Sequence, residues 1–500
     1  MTMSKLMFIE NEWVKSSNDK QLDVFDPSKG KVMETVPYAT KEDVGRAVDA
    51  AYDAFQKGVW SKIPPGDRAN LILKVAAMLE AKADEFVKLE SANSGKSIKQ
   101  CTGYDIPYTI DNMRFIAGAA RILEGKAMGE YVAEGTSAIR REPIGVVGVI
   151  TPWNYPLMMV VWRAFPALAM GNTVVIKPAT YTPLSTIELA KLMQEAGLPK
   201  GVLNVVTGPG GEVGEVLASH PKVGMVAFTG STEVGRRLSV LGANTIKKVS
   251  LELGGKAPFI VFPDADIEAA VKGAVAGGLV NNGEDCANST RYYVHESIID
   301  TYTKKLNEEL SKVVIGDTQD MMTDLGPMVS AAHRQNVEKY ISKGVEEGGK
   351  LLSGGKRPKI PGHEDGYYIQ PTVIQTDNHD SAIVMEEIFG PVFTVLKFNN
   401  YDEVIEKSNR VVYGLGSSVW TKDVTTSMRA ARDLRFGTVW INDHVPVPSE
   451  MPWAGYKQSG HGASLSHYSL EEFSYIKHVY WDISGNPRKS WHFCVYGQKP

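Results

Sequence analysis

Three cysteines in 500 residues, Cys101, Cys286 and Cys494, are too few and too scattered to staple a chain of this size, so disulfides are excluded as its scaffold and a reducing, cytoplasmic setting is expected. Charge of one sign is also lacking. Lys plus Arg number 54 against 58 Asp plus Glu, a net charge of −4, which leaves no basic field for nucleic acid. No apolar run approaches the ~18 residues of a membrane span. The stretch Leu6 to Ile9 is broken at once by Glu10 and Glu12, so neither a signal sequence nor an anchor is read there. Ten histidines and three cysteines show no ligand spacing, and no metal is expected. Neither an internal repeat nor a low-complexity tract occurs. What remains is ordinary globular composition, 43% hydrophobic and 22% charged, long enough for two to four domains.

Short β-branched runs at 145–151, 172–176, 202–206, 223–228, 248–253 and 258–262 alternate with amphipathic stretches such as 186–197, ended by Gly197 and Pro199, and 212–220. This rhythm predicts a doubly wound parallel sheet of the nucleotide-binding kind, with helices on both faces. A second α/β series starts near Asp264, with helices predicted over 267–279 and 298–313 and a strand over 291–295, and continues to about 443. Segments 125–144 and 470–490 include polar–apolar alternation, read as strands outside either core whose free edges invite pairing with another subunit. The expected organisation is therefore a dinucleotide-binding domain over 1–124 and 145–253, a catalytic domain over 254–446, and oligomerisation strands over 125–144 and 470–490.

Glycine-rich junctions come next. Gly208-Pro-Gly-Gly-Glu-Val-Gly214 follows a predicted strand and approximates a dinucleotide fingerprint, with Gly210 and Gly214 as candidate cofactor contacts. Phe228-Thr-Gly-Ser231 offers N–H groups and a hydroxyl at a helix start, where a pyrophosphate would be stabilised. Cys286 in Asn282-Gly-Glu-Asp-Cys286 is a candidate nucleophile. Glu252, between leucines at a strand end, is a candidate base whose pKa apolar surroundings would raise. Asn154, in Thr151-Pro-Trp-Asn-Tyr-Pro-Leu157 at the carboxyl end of the first sheet strand, is a candidate oxyanion donor.

Together with Ile176-Lys-Pro178 and Glu386-Glu-Ile-Phe-Gly-Pro391, and with 34 positions separating residues 252 and 286 (286 − 252), these motifs resemble those of the aldehyde dehydrogenase superfamily over nearly the whole chain. The resemblance implies that fold, with a Rossmann-like cofactor domain, an α/β catalytic domain and a small β oligomerisation element. It also implies a homo-oligomer, dimer or tetramer, and NAD or NADP as cofactor. Cys286 is then the nucleophile, Asn154 and the Cys286 N–H hold the oxyanion, and Glu252 activates the hydrolytic water. Lys177 is expected on the adenosine ribose, Trp153 and Ser231 near the pyrophosphate, and Glu387 with Phe389 around the nicotinamide ribose.

Three positions depart from the family pattern. Thr180 replaces a glutamate common in NAD-preferring members, which removes a repulsion against a 2′-phosphate and leads to the expectation that NADP is tolerated. Glu284 stands where glutamine is usual, and with Asp285 it should raise the thiol pKa unless it points away or pairs with a cation. Ser464 stands where many relatives carry an auxiliary glutamate. Within the family the chain is most similar to the aminoaldehyde oxidisers, with Tyr155, Trp162 and Trp453 at positions of an aromatic funnel and Val280 where betaine-aldehyde relatives have another ring. An ω-aminoaldehyde such as 4-aminobutyraldehyde is the expected substrate, with Asp105 and Asp111 as an anionic mouth. The alternatives are betaine aldehyde, succinic semialdehyde read by Arg163, or a dehydrogenase-like binding protein without catalysis.

Overall fold

The computed structural model describes residues 5–125 and 127–498. Two large sheets dominate. The first runs, edge to edge, through strands Gly460–His461, Lys248–Glu252, Val223–Thr229, Val146–Ile150, Thr173–Lys177, Leu203–Val205, Met7–Ile9 and Glu12–Val14. Its five central strands are parallel. Val146–Ile150 is buried at every residue, as a strand covered on both faces must be. From it the chain first winds outward through 173–177 and 203–205, then returns to its other side at 223–229 and 248–252. The crevice where the winding reverses is where open α/β sheets bind ligands, and both Pro152-Trp-Asn154 and Gly230-Ser231 open onto it.

The second sheet runs through Lys350–Ser353, Thr372–Gln375, Val392–Phe398, Ser289–His295, Ala257–Val261, Gly416–Trp420 and Thr438–Ile441, parallel except at its first pair. The run at 258–262, which closes the first alternating series in the sequence while falling inside the expected catalytic domain over 254–446, belongs here. Sheet membership is decided by the sharp crossing at Gly254-Gly255, which has no signature in strand propensity. The expected helix at 212–220 is also different: a π-helical turn, Gly210–Gly214, precedes a short helix, Glu215–Ser219. The other helices read from the periodicity are found as Leu184–Ala196, closed by left-handed Gly197 (φ 97°), Ile267–Leu279 and Ile299–Leu310.

Strands Ser474–Asp482, Gly135–Pro143 and Gly129–Val132 form a separate antiparallel sheet. Among the described residues no helix is long and apolar enough to cross a membrane.

Candidate active site

A cavity of about 260 Å³ lies between the two sheets, and Cys286, Glu252 and Asn154 all line it. Each comes from a different piece of chain. Glu252 ends its strand opposite Thr229, where its carbonyl accepts from the Gly230 N–H (3.0 Å), and an antiparallel pairing with Gly460 covers the outer side. Asn154 follows strand Val146–Ile150, and Cys286 precedes strand Ser289–His295.

The loop that carries Cys286 is shaped by asparagines. Asn281 and Asn282 adopt left-handed φ of 53° and 60°, which short amide side chains tolerate because they replace lost backbone partners. Asn281 Nδ2 donates to the Asn154 and Glu284 carbonyls (2.8 Å each), and Asn282 Nδ2 to the carbonyls of Gly95 and Pro327 (3.0 Å each). Asn154 Nδ2 donates to the Glu284 carbonyl at 2.9 Å; its second N–H can serve an oxyanion beside Cys286.

Burial pushes the Cys286 thiol well up, and the carboxylates of Asp285, Glu387 and Glu252 add to the effect. Glu252 is pushed up to about 8 by burial, opposed by Arg163 and Ser464. Arg163 is wholly buried behind the glutamate, 3.8 Å from its Oε1, and donates to Thr229 Oγ1 (2.9 Å) and Ser250 Oγ (3.2 Å). From helix Pro156–Ala169 it therefore faces Glu252 and is not an arginine at a substrate mouth.

Glu284 turns away from the sulfur. It accepts from the Val329 N–H (2.9 Å) and lies 3.6 Å from His333 Nε2, so only Asp285 of the two acidic neighbours acts on the thiol. Asp285 lines the cavity, with Oδ2 accepting from the Tyr155 hydroxyl (2.6 Å) and Oδ1 from the Ala287 N–H (2.5 Å).

The glycine pair after Glu252 is explained by close approach. A Cβ at Gly254 would lie 2.1 Å from Glu387 Oε2, and one at Gly255 would lie 2.2 Å from the Cys286 carbonyl oxygen. The first obstacle is a side-chain tip that can move, whereas the second is backbone of the nucleophile loop. Gly254→Ala is expected chiefly to raise the cofactor KM, while Gly255→Ala lowers kcat at least ~100-fold and destabilises by about 1–3 kcal/mol. Steady-state kinetics with a thermal melt on each variant separates the two.

On one side of the thiol, Trp153 and Phe389 meet edge to face at 5.2 Å, and His333 packs on both rings. Glu387 accepts from the Gly255 N–H (2.8 Å), and burial pushes it up to about 7. Ser231 caps helix Thr232–Ala243 through the Val234 N–H (3.3 Å). Lys177 and Thr180 lie farther along, each donating to the Gly208 carbonyl at 3.1 Å, with Lys177 lowered to about 8 by burial. A Cβ at Gly214 would lie 3.5 Å from the Lys177 stem, whereas one at Gly210 would meet nothing within 4 Å. None of Lys177, Thr180, Gly210 or Gly214 reaches the cavity wall around Cys286.

On the other side, Tyr155, Trp162 and Trp453 line the cavity as the motifs suggest, joined by Tyr104, Met158, Met159 and Val447. Tyr104 and His333 were missed because neither lies in a recognisable motif. Tyr104 sits on a π-helical turn, Cys101–Asp105, stacked on Tyr108 at 5.2 Å. Val280 is not part of the wall. The expected anionic mouth is corrected. Asp105 is 2% exposed and ion-paired with Lys96 behind Tyr155. Asp111 is exposed but outside the lining, accepting from Ser449 Oγ. The acidic group in the wall is Asp285.

A half-buried thiol, a carboxyl with an elevated pKa and an amide donor around one cavity at a sheet switch point define an acyl-transfer site, and the comparisons agree: the aldehyde dehydrogenase family model matches residues 13–479, and the chain belongs to that family. It is 42% identical to a betaine aldehyde dehydrogenase of Bacillus subtilis over 96% of this chain and 97% of that one. It is 40% identical to a phenylacetaldehyde dehydrogenase of Pseudomonas fluorescens over 93% and 94%. The crystal structure of betaine aldehyde dehydrogenase from Staphylococcus aureus in complex with NAD+ superposes with a TM-score of 0.95, at 38% identity, covering 98% of this chain and 97% of that one.

The cleft fits the dinucleotide this family implies. Lys177 Nζ is buried with one acceptor for its three donors, a helix N-terminus stands at Ser231, and a held carboxylate, Glu387, faces the thiol end.

Proposed function

We propose that the chain oxidises an ω-ammonium aldehyde, of which 4-aminobutyraldehyde is the test case, to the carboxylic acid with NAD or NADP. The observation that carries this reading is the substrate wall: rings of Tyr104, Tyr155, Trp162 and Trp453, with the Asp285 carboxylate held by the Tyr155 hydroxyl, in a cavity lined also by Glu252 and Glu387 and by no lysine or arginine. Ring faces and a carboxylate favour a cation, and a semialdehyde with a distal carboxylate finds no partner there.

In the proposed reaction the Cys286 thiolate adds to the aldehyde carbon. The resulting oxyanion is held by Asn154 Nδ2 and the Cys286 N–H. A nicotinamide bound in the cleft would supply the acceptor for the hydride leaving that carbon. Glu252 then takes a proton from water as the water oxygen attacks the thioester carbonyl; the C–S bond breaks and the thiolate returns. Lys177, Ser231, Trp153, Glu387 and Phe389 would hold the dinucleotide. The exposed strand Ser474–Asp482, with Ile476, Tyr480 and Trp481 at its surface, is where we place contact between identical subunits in a dimer or tetramer.

The test is kcat/KM for 4-aminobutyraldehyde, betaine aldehyde, phenylacetaldehyde and pentanal, the last being a neutral isostere of the first, each with NAD and with NADP. The ammonium aldehyde is expected to exceed pentanal at least tenfold, about 1.4 kcal/mol; a ratio near one removes the reading. With a threonine at 180 and no carboxylate there, the two cofactors are expected within ~100-fold, about 2.7 kcal/mol. A greater preference for NAD overturns that part.

A further inference from the structure

Behind the substrate wall lies a charge cluster that the reaction does not use. Lys96 is 1% exposed and ion-paired with Asp105, also buried. Its Nζ sits 4.3 Å from the centroid of the Tyr155 ring, whose opposite end donates the 2.6 Å hydrogen bond to Asp285. A second branch leaves the same ion pair. Gln100 Nε2 donates to Asp105 Oδ1 (3.2 Å), and Gln100 Oε1 accepts from the N–H of left-handed Asn281 (2.7 Å), the start of the nucleophile loop. Glu90, buried beside them, accepts from the Leu157 N–H (2.8 Å) near the start of helix Pro156–Ala169.

We propose that Lys96 is a positioning residue: through Asp105, Tyr155 and Gln100 it fixes Asp285 as a charged group in the substrate wall, so that selectivity for a cationic aldehyde is set from an ion pair outside the cavity. Lys96 is the cation facing the carboxyls of Glu90, Asp105, Glu284 and Asp285, and it also faces the Cys101 thiol and the Tyr155 ring. Its charge opposes the upward push of burial on Asp285. Asp285 in turn raises the Cys286 thiol. Removing the ammonium therefore favours protonated Asp285, which binds a cation less well and lets the thiol ionise at lower pH. Sequence separation hid this chain of contacts, since the stretch 96–105, Tyr155 and Asp285 lie far apart along the chain and meet only in the fold.

The inference rests on the ammonium-aldehyde reading for its substrate readout and has one readout that does not. Lys96→Met, and Lys96→Gln in case the first variant fails to fold, are assayed on 4-aminobutyraldehyde and pentanal. The expected result is a wild-type preference of at least tenfold falling to within threefold of unity, with kcat on pentanal within threefold of wild type. Tyr155→Phe, which keeps the ring and loses the hydroxyl, should erode the same preference, and Lys96→Met/Tyr155→Phe should erode it no further, because both changes break one chain of contacts. Equal losses on both aldehydes, or additive losses in the double variant, overturn the proposal. The second readout is the pH midpoint of iodoacetamide alkylation of Cys286 in a Cys494→Ser background, expected to fall by ~0.5 or more in both Lys96 variants. If wild type shows no ammonium preference, the substrate reading fails while a lowered midpoint still upholds the positioning role. An unchanged midpoint overturns it.

Discussion

Cys286→Ala is expected to cut aldehyde turnover at least ~10⁴-fold while leaving the melting temperature within about 2 °C of wild type. The size of the first effect follows from chemistry. Without sulfur there is no covalent adduct, hydride must leave a hydrated aldehyde instead, and binding with oxyanion donors supplies only the remainder. The smallness of the second follows from packing. The side chain faces the cavity, packs only at the margin of the cluster around Tyr155 and Trp162, and is in no disulfide, so its loss enlarges open space and leaves no sealed void. Steady-state kinetics and a thermal melt on the same preparation check both. Turnover retained within tenfold would leave the cavity without its nucleophile.

Glu252→Gln is expected to separate the two halves of the reaction. Acylation needs the thiolate and the oxyanion donors; hydrolysis needs a group that accepts a proton from water, which an amide cannot do. Rapid mixing should give a near-stoichiometric burst of reduced cofactor followed by a steady rate at least ~10³-fold below wild type. The pH dependence carries the same signature. With the carboxyl at about 8, its ionised fraction rises from about 1% at pH 6 to half at pH 8, so deacylation in wild type should rise about fiftyfold over that interval and level off above it. The rise belongs to Glu252, and the steady rate of Glu252→Gln should be flat over the same range. A burst followed by an unchanged steady rate would mean that another base serves the water.

The three residues proposed for catalysis are legible in the sequence because each sits in a local string: Glu252 between leucines before a glycine pair, Cys286 in its acidic loop, Asn154 between tryptophan and tyrosine near a strand end. The central strands were legible for a similar reason, since fully buried parallel strands read as β-branched runs. What could not be read is whatever depends on pairing across sequence distance. Arg163 stands beside an aromatic residue of the substrate wall, yet helix geometry turns it to the opposite side, against Glu252. Asp105 has the composition of a mouth residue and is instead the buried partner of Lys96. Glu284 and Asp285 are neighbours in sequence with opposite orientations, one toward Val329 and the other into the cavity. Spacing gives no sign of such choices, because they are made by which buried polar atoms find partners.

The passage from Glu252 to Ala257 carries the chain from one large sheet to the other across Gly254-Gly255, and the sulfur is delivered by the second sheet while the base is delivered by the first. The working distance between them is thus a property of how two layers are seated, with no strand spanning both. Mild denaturant that lets the layers slip, without melting either, should silence the enzyme while far-UV ellipticity is still near its native value.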